Sequence, residues 1–194
     1  VLESRGWKAF GGEGINIGAQ HAVPNSQHVA YLLERFGNSS AIESISSALR
    51  SGELEFSYLN LDDALGVYIG KSMGLNRNYP YYWKGNEGLY RAAVTSVHEG
   101  QHFLDDIAGV YRNRISLEAR AVIREQQFAN SLGRPDLAYL HNVRVQLGDG
   151  INLASKSRAW EHIKIDYINR YKLNPADYGV GQAYFDSYIV DFGL

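Results

Sequence analysis

Between Gly88 and Gly109, apolar residues recur at helical spacing, at Leu89, Ala93, Val94, Val97, Leu104, Ile107 and Ala108. A helix of that length is about 30 Å long, and its apolar stripe has to be covered by other elements. The rest of the chain can supply them. Gln27 to Phe36 and Ser40 to Leu49 carry the same period, the second with Ser39 or Ser40 as its cap and Gly52 as its stop. Leu54, Phe56, Tyr58 and Leu61 alternate as in a strand, and Ala64 to Ile69 is a second strand-like run, so a small sheet is expected ahead of the long helix. Asn76 to Gly85 is a turn-rich aromatic segment. Further helices are expected from about Ser116 to Leu132, stopped by Gly133-Arg134-Pro135, and from Ser155 to Tyr171. The Gly-rich opening, residues 1–25, is expected to be an irregular lead-in. These elements predict one α+β domain over residues 1–194, sheet early and helices late.

Composition narrows the chemistry. The 194 residues are 45% apolar, enough for a core that needs no staple. With no cysteine, disulfides, thiolate metal sites and cysteine nucleophiles are excluded. Nineteen Lys and Arg against 21 Asp and Glu leave a formal net charge of −2, which argues against a broad nucleic-acid-binding field. No apolar run is long enough to span a membrane. Val1 in place of an initiator Met, with no hydrophobic targeting stretch behind it, suggests a piece of a larger polypeptide.

His98-Glu99-Gly100-Gln101-His102 lies inside the long predicted helix and matches the pattern H-E-x-x-H. Residues four apart on a helix share a face, separated by about 6 Å of rise, so both imidazoles aim at one point where a divalent ion can sit. Glu99 then stands to one side, placed to take a proton from water without filling a coordination position. A chance match in a chain this long is expected on the order of 1% of the time, and fewer fall mid-helix.

Zinc is normally held by three protein ligands, so a third donor is required. The extension with a glycine and a further histidine is absent, because those positions are Asp105 and Ala108. The best remaining donor is Glu118, at the start of the next predicted helix, with Ala119 and Ala121 beside it leaving room for close packing. Glu161 and His162, on the later predicted helix, are the alternatives. Asp105 and Asp106, the nearest acids in sequence, read equally well as support for the metal ligands and as solvated charges. His21 and His28 read as surface or satellite-core residues. His141, His162, Tyr111 and Tyr167 are unranked candidates for stabilising an oxyanion. Tyr79-Pro80-Tyr81-Tyr82-Trp83 either lines a cleft or forms an aromatic cluster beneath a loop.

The segments Val94 to His102, Ser116 to Ala121 and Gln126 to Gly133 together resemble the zincin metallopeptidases of the glutamate-ligand type. More narrowly, they resemble the metallopeptidase domains at the C-terminal ends of bacterial polymorphic toxins and secreted effectors. The resemblance spans about residues 40 to 133, and only the His-Glu-His core is specific. It implies a small twisted sheet packed on the active-site helix, zinc held by His98, His102 and Glu118, and Glu99 as general base in hydrolysis of protein or peptide substrates. It also implies an edge strand, Phe56 to Leu61 or Ala64 to Ile69, that pairs with an extended peptide. A secreted or delivered effector is then favoured over a cytoplasmic protein, with a cognate immunity protein as partner if the domain is a toxin. One departure is evident: the position four after the ligand glutamate, where thermolysin-like relatives carry an orienting aspartate, is Val122. A binding module without turnover and a zinc hydrolase of another amide or ester are the competing readings.

Overall fold

The computed structural model describes residues 8–10, 14–16, 24–110 and 114–146. The architecture is α+β. Two short strands, β1 (Lys8–Phe10) and β2 (Gly14–Asn16), pair antiparallel within the segment expected as a lead-in, most of which lies outside the described residues. Three residues per strand are too few for alternation to show in sequence.

Helix α1 (Ser26–Phe36) starts at a reciprocal cap: the Asn25 side chain accepts the His28 N–H at 3.0 Å and the His28 ring accepts the Asn25 N–H at 3.3 Å. Helix α2 (Ser40–Ser51) is capped by Ser39, whose hydroxyl accepts the Ile42 N–H, and ends at Gly52 in the left-handed conformation, φ 80°. The sheet follows as β3 (Glu55–Leu59), β4 (Gly66–Ile69) and β5 (Ser72–Asn76) in spatial order β3-β5-β4. β5 is parallel to β3, with Glu55 opposite Ser72, and antiparallel to β4, with Ile69 opposite Ser72. The central strand β5 was not expected from the sequence. A 3₁₀ turn (Pro80–Trp83) then leads into α3 (Gly85–Ile107), which begins three residues before the predicted start. Helix α4 (Arg114–Ser131) returns along α3. A second 3₁₀ turn (Pro135–Leu137) precedes α5 (Tyr139–Gln146), a helix the sequence reading lacked. The predicted helix from Ser155 to Tyr171 lies outside the described residues.

The core gathers one face of each element around α3: Leu32 and Leu33 from α1, Ile42 and Ile45 from α2, Met73 and Leu75 from β5, Val97 and Phe103 from α3 and Phe128 from α4, all 0–1% exposed. Each such side chain contributes roughly 1.5–3 kcal/mol of burial. Close approach is required at Gly100, within the histidine motif, where a Cβ would stand 2.6 Å from Ile45 Cγ2. Ala119 and Ala121 of α4 are fully buried, as close helix packing needs. No helix among the described residues is long and apolar enough to cross a membrane.

Candidate metal centre

The two helices run antiparallel, as their paired side chains record: Arg120 Nη2 meets Asp105 Oδ1 at 2.8 Å, Arg124 Nε donates to Gln101 Oε1 at 3.1 Å, and Glu125 lies 3.0 Å from His98. This return places the Glu118 carboxylate between the two histidines. Its Oε2 is 3.3 Å from His98 Nε2 and its Oε1 is 3.5 Å from His102 Nε2, and the three residues offer ligand atoms within 4.8 Å of one another. Glu161, His162 and His21 lie outside the described residues, as do Tyr111 and Tyr167.

Two arrangements bring such atoms together. Charge-assisted N–H···O bonds normally close to about 2.7–2.9 Å. Two donors each about 2.1 Å from a tetrahedral ion stand about 3.4 Å apart. The 3.3 and 3.5 Å separations are longer than the first and near the second, so the three residues form a group that could hold a metal ion.

Protonation supports the same fit. A carboxylate only accepts, so the contact between His98 Nδ1 and Glu125 Oε2 requires the proton on Nδ1. A neutral His98 therefore turns the bare lone pair of Nε2 toward Glu118, another acceptor, and the pair is stable only with positive charge between them. Either a second proton or a metal ion supplies it. Burial by itself would push His98 down, but Glu118 and Glu125 at its two nitrogens, with Glu99 nearby, carry it well above the usual histidine range. Glu118 shows the converse: burial opposes its charge, yet His102 and His98 hold it far below the usual carboxylate range. Glu99, Glu118 and Glu125 are all under 9% exposed, so three carboxylates and two imidazoles share one poorly solvated cluster. The donor set, two imidazoles and a carboxylate, fits a divalent ion such as zinc.

Glu125 is the residue the sequence reading missed. Its Oε2 meets His98 while its Oε1 accepts the Tyr139 N–H at 2.7 Å, so one carboxylate fixes the imidazole and ties α5 to α4. Glu125 stands two helical turns beyond Glu118, and Val122, between them, is core. Asp105, for which a solvated charge was one of two readings, is 2% exposed and held by Arg120 and by Gln101 Nε2 at 2.8 Å. Asp106 accepts the Tyr68 hydroxyl at 2.8 Å.

A cleft of about 180 Å³ opens on the His98 and Glu99 side of the cluster. One wall is Ala64, Leu65 and Gly66, at the entry to edge strand β4. A Cβ on Gly66 would stand 2.7 Å from Glu99 Oε1, so only glycine admits this approach. Asn76 holds the wall in place by donating to the carbonyls of Leu61 and Ala64 at 3.0 and 2.8 Å. Glu99, buried beneath it, is raised above the usual carboxylate range by desolvation, a shift that His98 and His102 oppose and Glu118 and Glu125 reinforce. The opposite wall takes Tyr139 and Asn142 from α5, whereas His141 is not among its lining residues.

The aromatic segment divides its roles. Tyr79 lines the cleft, and Tyr82 is fully buried with its hydroxyl 3.1 Å from the Leu65 carbonyl oxygen and 2.9 Å from Thr95 Oγ1. The Tyr82 bonds join the cleft wall to α3 one turn before Glu99. Comparisons with family profiles, with characterised proteins and with solved structures gave no match to this chain.

Proposed function

We propose that the protein is a zinc-dependent hydrolase of peptide bonds, with His98, His102 and Glu118 as ligands, Glu99 as general base and a zincin-like arrangement of sheet and helix. The observation that carries this reading is the closure of Glu118 onto both histidines at ligand spacing, with Glu99 beside them at the floor of a cleft. His98, His102 and Glu118 would hold the zinc, which when bound would supply Lewis acidity toward a scissile carbonyl and lower the pKa of water toward neutrality. Glu99 accepts the proton of the attacking water as the C–O bond forms, and then delivers it to the amine nitrogen as the C–N bond breaks. Its burial under Gly66 limits competing solvent and holds the carboxylate in one orientation. Edge strand β4, rather than β3, is the strand suited to pair with a substrate backbone, because the residues leading into it line the cleft.

An unstructured protein substrate tests the reading. The purified chain should carry one equivalent of zinc by elemental analysis and cleave casein-like substrates, with cleavage lost to excess chelator. Glu99→Gln should retain the metal and lose at least 10²-fold in turnover. A zinc-loaded protein whose Glu99→Gln variant cleaves at the unchanged rate would refute the assignment of the base.

A further inference from the structure

Arg91 also lines the cleft, two helical turns before His98 on the same face of α3. Its Nε and Nη2 are bound to Glu87 Oε1 at 2.9 and 2.8 Å. That carboxylate is shared, since Arg134 Nη1 reaches Glu87 Oε2 at 2.6 Å and Arg134 Nη2 reaches Oε1 at 3.2 Å. Two guanidinium groups thus meet one carboxylate, and Arg134 is further matched by Asp136 at 2.7 Å. Arg91 spends one edge of its fork on a neutralised acid. Among the described residues its Nη1 has no hydrogen-bond partner, and the side chain is 26% exposed. The guanidinium is also stacked 5.1 Å from the Tyr81 ring centroid, which limits its rotamer freedom.

Resting on the hydrolase reading above, we propose that the cleft selects peptides carrying a carboxylate about three residues from the scissile bond, bound by the free edge of Arg91. The spacing follows from geometry: seven helical residues separate Arg91 from His98, about 10 Å of rise, and an extended peptide covers that in about three residues. A guanidinium edge matches a planar carboxylate better than any other common peptide group. The carboxylate belongs either to an Asp or Glu side chain or to the peptide's own C-terminus.

Matched peptides separate the sources. Zinc-loaded protein is assayed on a series in which one Asp or Asn is moved along the sequence, each with a free or an amidated C-terminus. Asp over Asn should raise kcat/KM by about 10- to 100-fold at one position, in line with a hydrogen-bonded charge pair. Preference for the free acid over the amide, with no positional Asp effect, assigns the site to the chain terminus. Arg91→Gln should collapse the ratio toward one, and Arg91→Lys should retain part of it. Binding of the same peptides to Glu99→Gln protein, read by fluorescence anisotropy, should show the same ranking independently of turnover. Equal kcat/KM for all pairs, or a ratio unchanged in Arg91→Gln, overturns the inference. Failure to cleave any peptide while zinc-loaded overturns the hydrolase reading instead, and the anisotropy ranking then judges Arg91 alone.

Discussion

Glu125 gives the sharpest test of the centre because its two oxygens serve two different donors. Oε2 takes the proton of His98 Nδ1 at 3.0 Å and Oε1 takes the Tyr139 N–H at 2.7 Å. In Glu125→Gln only one carbonyl oxygen remains, and the amide NH₂ must face the other N–H as donor against donor. One charge-assisted bond is forfeited, worth about 1.5–3 kcal/mol at a site only 8% exposed. If the oxygen stays with Tyr139, zinc affinity falls because His98 is no longer oriented. If it stays with His98, α5 loosens and thermal stability falls. Glu125→Ala removes both bonds, and orienting partners of this kind are worth about 10- to 100-fold in metal affinity. Zinc affinity is measured by competition with a chromophoric chelator, and melting of the metal-free protein measures the structural share. Zinc affinity unchanged in Glu125→Ala, with the fold intact, would refute the claim that this carboxylate fixes His98.

Other substitutions probe separate links. Glu118→Ala should abolish stoichiometric zinc, and full occupancy in that variant would move the third ligand elsewhere. Gly66→Ala brings a Cβ within 2.7 Å of Glu99 Oε1 and 2.9 Å of Thr95 Cγ2, so kcat should drop by about 10- to 100-fold with zinc content unchanged by elemental analysis. Gly100→Ala presses on Ile45 and should destabilise by about 1–3 kcal/mol in denaturant melts; combined with Ile45→Ala it should cost less than the sum of the single changes. Burial lowers His28 from 6.5 to about 4, so the folded state favours its neutral ring, which accepts the Asn25 N–H. Stability from this residue is therefore complete above pH 6.5 and lost as pH falls toward 4. His28→Gln keeps an acceptor at the same capping position and should flatten the melting temperature over that window relative to wild type.

The parts of the centre legible in sequence were those whose partners are near in the chain. His98, Glu99 and His102 share one helix, and their spacing alone sets their directions. Glu118 follows from a short reversal between two helices. Glu125 carried an equally regular signal, seven residues after Glu118 and about 20° from it around α4. The i+4 position, Val122, faces the core instead. The two readings of Asp105 could not be separated in sequence because its neutralising partner, Arg120, is fifteen residues away on another helix. His28 read as a surface or satellite-core residue, and its role as a cap depends on which ring nitrogen meets Asn25.

The sheet shows the opposite failure, in which the feature that hid an element is the feature that packs it. β5 is Ser72-Met73-Gly74-Leu75-Asn76, with neither alternation nor β-branched residues, and Gly74 lowers its strand propensity further. A central strand covered on both faces has no reason to alternate. A Cβ at Gly74 would stand 2.4 Å from Leu59 Cδ1, so the glycine is what lets β3 pack beside it. Asn76, polar and only 6% exposed, ends the strand by holding the Leu61 and Ala64 carbonyls, which sets the cleft wall over Glu99. The local weakness of β5 as a strand and the position of the proposed base are therefore linked: the strand that is hard to recognise pairs Leu75 with Gly66 and so holds the cleft wall over Glu99.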